Sequence, residues 1–449
     1  MNLSTFKDEQ LDHLAQIGNV AQFVSFGPNG SPRFSHMLGH VPDEKQGSKE
    51  QAISSLLAHS RAGQVNIRSF RPEQRQGNEF IYGISNVHDA VSAANRLNDS
   101  GMYVIVNETI DVNDGGVSGV AQGGLYEFAP GATPRIVETG AVATLQEKEA
   151  KDILSSVYGV KPALPEAHDL RVEFSIHPQK CGVRRSNTLL WEAEETDVAE
   201  LSAPLRWPNL FSELVGDKAF GLLVADAFGY PVPRTNVFAR KIPPFSFGRS
   251  TGEDTLWLRT APRQAEPGLY PTSRGWIDPF KMMEDPANSG ELASLLIQEE
   301  VRSQFSGALI SSSSGGCLIE GVAGFGDDFM LGRSGPAVLP DELSKALNHL
   351  HEELRLRLGG IRVEWAYDHC QIWILQLQQI GVLSAGKIIV PGHVDKEFEF
   401  EVSRGLEELR SLIPHAQAEG AGIRLLGEVG MTSHLADVLR RSRVPSRIV

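Results

Sequence analysis

The chain has 449 residues, 41% hydrophobic and 22% charged, a soluble globular composition too long for one ordinary core, so two to four domains are expected. Its 42 lysines and arginines against 56 aspartates and glutamates give a formal charge of -14, which opposes nonspecific adhesion to nucleic acid or anionic lipid and favours a small-molecule partner. Residues 1–10 are polar where a signal peptide needs an apolar stretch, and no run of about 18 apolar residues occurs, so a cytoplasmic protein without a membrane span is expected.

Taken in chain order, residues 1–195 mix helical stretches at 49–62 and 87–97 with an apolar β-type run at 102–106, an α/β or α+β domain. Segment 107–120 crowds Asn107, Glu108, Asp111, Asn113, Asp114 and three glycines. Such a set binds a cation, sugar or phosphate, or is simply an Asn-Asp-Gly-Gly turn between two strands; Arg135 and Glu138 lie just beyond it. Breaks fall at 163–169 and 192–204, the second taken as the boundary. In the middle zone, 196–383, a helix is expected over 210–228, closed by Gly229 and followed by extended Tyr230-Pro231-Val232-Pro233. A loop at 243–252 precedes a short strand at 255–260. Residues 384–449 offer helices at 402–413 and 433–443. Cys181, Cys317 and Cys370 fit no CxxC or zinc spacing and are expected to be buried, reduced thiols.

Two segments carry chemistry. Residues 428–440 read as a glycine turn, Thr432 and Ser433, then His434 opening an amphipathic helix. The positive end of a helix keeps imidazole neutral and nucleophilic and stabilises a phosphate attached to it; the two hydroxyls and Arg440, Arg441, Arg443 and Arg447 add donors and charge. The residues alone equally describe a capped helix with a first-turn histidine. Residues 361–378 read as a hairpin. With a loop of three or five residues, Val363, Trp365, Trp373, Leu375 and Leu377 share an apolar face while Glu364, Gln376 and Gln378 share the other. A carboxylate beside an amide oxygen suits Mg²⁺ bridging nucleotide phosphates; an ordinary amphipathic hairpin has the same pattern.

These segments resemble the phosphoenolpyruvate-utilising enzymes, phosphoenolpyruvate synthase and pyruvate phosphate dikinase. Gly430 to Val449 matches their phosphohistidine segment without a gap, through Thr432-Ser433-His434, Ala436, Val438, Arg440 and Val444-Pro445. Glu364, with Gln376 twelve residues on, matches the closing strands of their ATP-grasp domain; the family arginine two residues later is Gln378 here, so one cation expected near the phosphates is missing. Gly216-Asp217-Lys218, Trp257-Leu258-Arg259-Thr260, the Leu296 to Val301 strand around Gln298, and Glu320 with its following glycines fall in the family's order, at shorter spacings.

The resemblance implies an α/β (α+β) multidomain protein: an N-terminal α/β domain, 1–195, with a possible acceptor site; an ATP-grasp-like domain, 196–383; and a small swivelling phosphohistidine-like domain, 384–449. It implies ATP and Mg²⁺, with Lys218, Gln298, Glu320, Glu364 and Gln376 on the nucleotide, Glu364 and Gln376 on the metal, Arg259 on the transferred group and His434 as phosphocarrier. A dikinase-like phosphotransferase releasing AMP and phosphate and serving a small-molecule acceptor is expected, with an ATP-sensing regulatory protein or an ATP-grasp ligase as alternatives. No barrel segment follows 449, so pyruvate is not the expected substrate.

Overall fold

A computed structural model describes residues 6–42, 47–73, 79–131, 141–165, 169–196, 201–263, 272–284, 292–312, 315–380 and 387–449. The fold is mixed α/β with several largely antiparallel sheets, and the chain divides into two compact units, Met1–Arg206 with Lys241–Pro243 and Trp207–Arg240 with Pro244–Val449. Arg135 and Glu138 lie outside the described residues.

In the first unit α1 (Lys7–Ile17), β1 (Phe23–Phe26), β2 (Pro32–His36), α2 (Lys49–His59), β3 (Val65–Phe70), β4 (Phe80–Ile84), α3 (Val87–Asp99) and β5 (Tyr103–Glu108) come first. The strands pair antiparallel in the order β2-β1-β5-β3-β4. A capping box from Ser48 and Gln51 starts α2, and Asn86 caps α3. Their apolar faces, with Ile53, Leu56, Ala90, Ala94 and Leu97, bury against Val65, Ile67, Val104 and Val106 of the sheet. Then β6 (Val117–Gln122), β7 (Leu125–Pro130), β8 (Ala143–Gln146), α4 (Glu147–Tyr158), β9 (Leu170–Cys181) and β10 (Ser186–Glu195) form a second antiparallel sheet, β10-β9-β6-β7-β8. Residues 109–116 therefore carry the chain from one sheet to the other. Gly115 in this segment has φ 91°, and a Cβ there would lie 1.9 Å from the Lys241 carbonyl, so only glycine fits.

The second unit opens with α5 (Leu210–Val215) and α6 (Asp217–Ala227). One continuous helix was expected over 210–228; Gly216, at φ 92°, breaks it, because a Cβ there would meet Ala261 Cβ at 2.7 Å and the Ala261 carbonyl at 2.9 Å. Gly229, also at positive φ, ends α6. There follow β11 (Thr235–Ala239), β12 (Phe245–Phe247), β13 (Leu256–Pro262), β14 (Ser273–Arg274), α7 (Pro279–Glu284) and β15 (Leu292–Glu299), with strand order β12-β11-β15-β13-β14. A second sheet, β17-β16-β18-β19, uses β16 (Phe305–Ser311), β17 (Cys317–Ala323), β18 (Ile361–Tyr367) and β19 (Ile372–Gln379), with α8 (Asp327–Met330) and α9 (Asp341–Leu358) between β17 and β18. The last sheet, β20-β23-β22-β21, holds β20 (Ile388–Val390), β21 (Glu397–Glu401), β22 (Gly422–Leu426) and β23 (Ser446–Ile448), packed with α10 (Leu406–Ala418) and α11 (His434–Ser442) around Phe400, Leu409, Ile423, Leu425, Leu435 and Leu439. The helix expected at 402–413 is a 3₁₀ turn, Val402–Arg404, and then α10, separated by Gly405 at φ 83°.

The β18–β19 hairpin differs from expectation in an instructive way. Its loop, 368–371, has four residues rather than three or five, which alone would put Glu364 and Gln376 out of phase. A bulge at Leu375 adds one residue to β19 and restores the phase: Tyr367 faces Ile372 and Trp365 faces Ile374, but Glu364 faces Gln376 and Arg362 faces Gln378. The single apolar face expected from Val363, Trp365, Trp373, Leu375 and Leu377 is split accordingly. Trp373 joins Ala366, Leu375 and Val301 in a small separate cluster. The thiols also depart from expectation: Cys370 is exposed, and Cys181 and Cys317 are only partly buried, all three unpaired. No helix among the described residues is long and apolar enough to cross a membrane.

Candidate functional site

Arg259, from the central part of β13, is the hub. Its Nη2 donates to Glu364 Oε2 at 3.0 Å and to Gln376 Oε1 at 3.1 Å; its Nη1 donates to Gln298 Oε1 at 3.2 Å and to the Leu375 carbonyl. The bulge supplies that carbonyl, since an unpaired residue turns its peptide out of the ladder. Four of the residues singled out from the sequence, Arg259, Gln298, Glu364 and Gln376, thus meet around one guanidinium. Arg362, on the same face as Glu364, places Nη2 3.8 Å from Glu364 Oε1. Gln298 also donates from Nε2 to Thr235 Oγ1 at 3.2 Å, which fixes its amide.

His434 comes to this cluster on α11. Ser433 caps the helix, its Oγ accepting from the Ala436 N–H, and His434 is the first helical residue. Glu320, Arg362 and Arg440 hold the preceding turn, the last donating to the Met431 carbonyl. Glu320 accepts from the N–H of Met431 at 3.1 Å and from the N–H and hydroxyl of Thr432, both at 2.8 Å. Arg362 donates to the Thr432 carbonyl at 2.9 Å and pairs with Asp437, which in turn takes 2.6 Å hydrogen bonding from Arg440. Gly430 lets the turn close on Phe329 and Glu320, since a Cβ there would come within 2.6 Å of the ring and 2.8 Å of the carboxylate.

A cleft of about 140 Å³ lies among these groups, lined by Trp257, Arg259, Gln298, Asp327, Glu364 and His434. Its electrostatics favour an anion. Burial first, then the positive charges of Arg362, Lys218 and Arg259, hold the His434 imidazole down at about 4, so it is neutral at pH 7. Its Nδ1 is buried without a hydrogen-bond partner among the described residues. Burial and the neighbouring Arg259 bring Lys218, at the start of α6, down to about 8, and its ammonium has no hydrogen-bond or ion-pair partner among the described residues. Burial alone would raise Glu364, but Arg259 and Arg362 outweigh it and keep the carboxyl below its usual range. Three cations therefore surround one carboxylate. Glu364 Oε2 and Gln376 Oε1 both accept from Nη2 and so lie close together, a carboxylate and an amide oxygen that would suit a hard cation. No cluster of three or more metal-type ligands occurs among the described residues.

Other singled-out residues sit elsewhere or do other work. Glu320 spends both carboxylate oxygens on the turn before α11 and not on an open ribose or adenine position. The backbone of β15 around Gln298 is paired on both sides, to β11 and β13. The Thr432 hydroxyl serves Glu320 and Ser433 serves the helix cap, while Arg447 pairs with Glu397 at 2.7 Å. Gln378, in place of the family arginine, donates to Asp217 at 2.9 Å, whose other oxygen takes the Trp207 indole N–H at 2.6 Å. Arg362, Asp437 and Asp327 were missed. For Arg362 the signal existed, since alternation from Glu364 puts it on the same face.

No protein-family model matches the chain, and no curated protein matches it. Slight likenesses to solved structures exist. One is to the D-alanine–D-alanine ligase of Helicobacter pylori, 10% identical over 39% of this chain and 54% of the ligase, TM-score 0.26. The D-alanine–D-alanine ligase of Bacillus anthracis, complexed with ATP, is 12% identical over 38% of this chain and 57% of the ligase, TM-score 0.27. The L-amino acid ligase of Bacillus licheniformis is 12% identical over 37% of this chain and 41% of that enzyme, TM-score 0.24. The chain thus spans little more than half of these proteins at most.

Proposed function

We propose that the second unit is an ATP-grasp-like module that uses Mg·ATP to phosphorylate His434, in the manner of a dikinase, for delivery to a small-molecule acceptor. The observation that carries this reading is the meeting of a neutral His434 with Arg259, Gln298 and Glu364 in one cleft, beside the unpaired Lys218. The unprotonated ring nitrogen attacks the β-phosphorus of ATP; the N–P bond forms as the α–β P–O bond breaks and AMP leaves with the electron pair, and water then attacks the γ-phosphorus of the pyrophosphoryl-histidine, releasing phosphate and leaving phosphohistidine. Arg259, Lys218 and Arg362 meet the charge that develops on the transferred group. A Mg²⁺ ion held by Glu364 and Gln376 would supply further neutralisation of the phosphates. By analogy with the resembling enzymes, AMP and phosphate are the co-products.

A second reading, an ATP-grasp ligase in which His434 is structural, is supported by the tethering of the turn before α11 through Glu320 and Arg362, bonds that a swivelling carrier has to break. The similar structures named above are ligases, though at likenesses too slight to weigh for either side. Incubation with ATP labelled at the β or γ phosphate decides. An acid-labile, base-stable adduct, absent in His434→Ala, together with AMP, supports the carrier; ADP formation unaffected by His434→Ala selects the ligase. Thermal stabilisation by ATP with no product formed would leave only a nucleotide-sensing role.

A further inference from the structure

The first unit contains a cavity of about 510 Å³, within the range of small-molecule sites. One wall comes from β3 and β5 and the other from β6, β9 and β10. Its lining is mainly apolar and aromatic, with Phe70, Phe80, Tyr82 and Trp191 prominent. Phe80 and Tyr82 stand side by side on the edge strand β4, 60% and 55% exposed, at the rim. Two large aromatic side chains left open to water on one strand next to a cavity are what a ligand would cover.

The polar groups in the wall are built, not incidental. Asp114 Oδ2 lies 2.9 Å from His177 Nδ1, His177 Nε2 lies 2.9 Å from Ser175 Oγ, and Ser175 Oγ accepts the Trp191 indole N–H at 2.7 Å. With Asp114 ionised, the chain runs one way: indole N–H to Ser175, the Ser175 hydroxyl to His177 Nε2, and His177 Nδ1–H to the carboxylate. Its geometry is that of a nucleophile, base and orienting acid. Yet Ser175 lies mid-strand in β9, where both neighbouring strands engage the backbone, leaving no pair of free N–H groups to receive an oxyanion. What the chain does achieve is to lock the Trp191 ring in place as a flat wall.

Three polar atoms, two on the wall opposite this platform and one beside Ser175 on β6, have no partner among the described residues. Asn66 spends its Oδ1 on the Gly83 N–H and the Thr109 hydroxyl, leaving Nδ2; Asn107 spends its Nδ2 on the Glu108 carbonyl, leaving Oδ1; the Ser118 hydroxyl makes no hydrogen bond. All three residues are at least nine-tenths buried, at 6%, 5% and 5% exposure, and all line the cavity. Asn66 and Asn107 are direct cross-strand partners, so a donor and an acceptor stand side by side. These atoms open onto the cavity, where a ligand can bond them. The carboxylates of the lining are already neutralised: Glu192 by Lys7 at 3.1 Å, Glu173 by Arg171 at 2.9 Å, and Glu79 by Arg96.

From this arrangement we infer that the first unit binds a neutral, planar ring compound whose edge carries an adjacent hydrogen-bond donor and acceptor, as in a lactam or an amide-edged heterocycle. The ring stacks on Trp191 under Phe80 and Tyr82, and the edge bonds Asn66, Asn107 and Ser118. The site stands independently of the ATP reading of the second unit. The test uses the full chain and the fluorescent bicyclic lactam 2-quinolinone, titrated by anisotropy with naphthalene-2-sulfonate as the charged, lactam-free comparison. Saturable binding of the lactam with a dissociation constant below about 1 mM is expected, at least about 10-fold tighter than the sulfonate. Ser118→Ala, which removes only the hydroxyl, and Tyr82→Ala, at an exposed position, should each weaken it by about 5- to 10-fold. Absence of saturable lactam binding, equal binding of the sulfonate, or indifference to both variants in protein with unchanged circular dichroism overturns the inference. So does Ser175-dependent hydrolysis of p-nitrophenyl acetate, which would make Ser175 a nucleophile.

Discussion

Replacing Arg259 by methionine isolates the hub of the second unit. The arginine and Glu364 side chains are each 12% exposed and meet at 3.0 Å, and the guanidinium also serves Gln298, Gln376 and the Leu375 carbonyl. Breaking a buried pair by removing one partner costs roughly 3–5 kcal/mol, because the remaining charge is left uncompensated. Arg362 stays 3.8 Å from the other Glu364 oxygen and keeps part of the compensation, which places the expected loss near the lower end, about 3 kcal/mol. Glu364→Gln leaves Arg259, Arg362 and Lys218 without their shared carboxylate and should likewise cost about 3–5 kcal/mol. The double variant should therefore be less damaged than the sum, by about 1–3 kcal/mol of coupling. Hydrogen exchange at the β18 and β19 amides, followed by mass spectrometry, reads this locally, so that unfolding of the first unit does not enter. A loss under about 1 kcal/mol for Arg259→Met, or additivity within about 0.5 kcal/mol, would refute the argument that Arg259 organises the cleft.

Glu320→Gln removes the charge that holds the turn before α11; the Met431 and Thr432 amides should exchange about 10-fold faster or more, equivalent to at least about 1.4 kcal/mol. His434 is held at about 4 when folded against an ordinary 6.5, so the unfolded chain takes up the proton first as pH falls. Stability should consequently drop between pH 6.5 and 4, by at most about 3 kcal/mol, and flatten below; comparing denaturant midpoints of the protein and His434→Gln at pH 7 and 5 checks it, and an equal slope in both would count against the burial of a neutral ring. Gly216→Ala combines a positive φ with a 2.7 Å approach to Ala261 and should cost about 3 kcal/mol, seen as a lowered urea midpoint.

Much of the cleft could be read from residue order, and the reasons for the rest are specific. Glu364 and Gln376 do face each other, as their twelve-residue spacing suggested, but only because the loop and the bulge each shift the parity by one. The path between them was misread, since loop length and bulge act in opposite senses and neither has a strong residue signature at Asp368-His369-Cys370-Gln371 or Leu375. The break at Gly216 depends on Ala261, forty-five residues away, a contact that no helical pattern announces. Asp437 escaped because it looks like a surface charge until the turn at Gly430 brings α11 onto β18 and pairs it with Arg362. Ser175 and His177 lay inside an unremarked stretch of β9, and only the crossing of residues 109–116 between sheets brings Asp114 to them. Local signals therefore located the strands and caps, while the charge partners were set by tertiary approach.

The bulge at Leu375 has a consequence for how this hairpin tolerates change in length. A four-residue loop and one extra residue in β19 are two parity errors that cancel. Deleting one loop residue alone leaves the second error uncorrected and sends Gln376 to the opposite face from Glu364, away from Arg259. Deleting Leu375 as well restores the alignment but removes the carbonyl that receives the guanidinium. Insertions and deletions here are thus admissible only in compensating pairs, and even then the arginine loses one of its four acceptors.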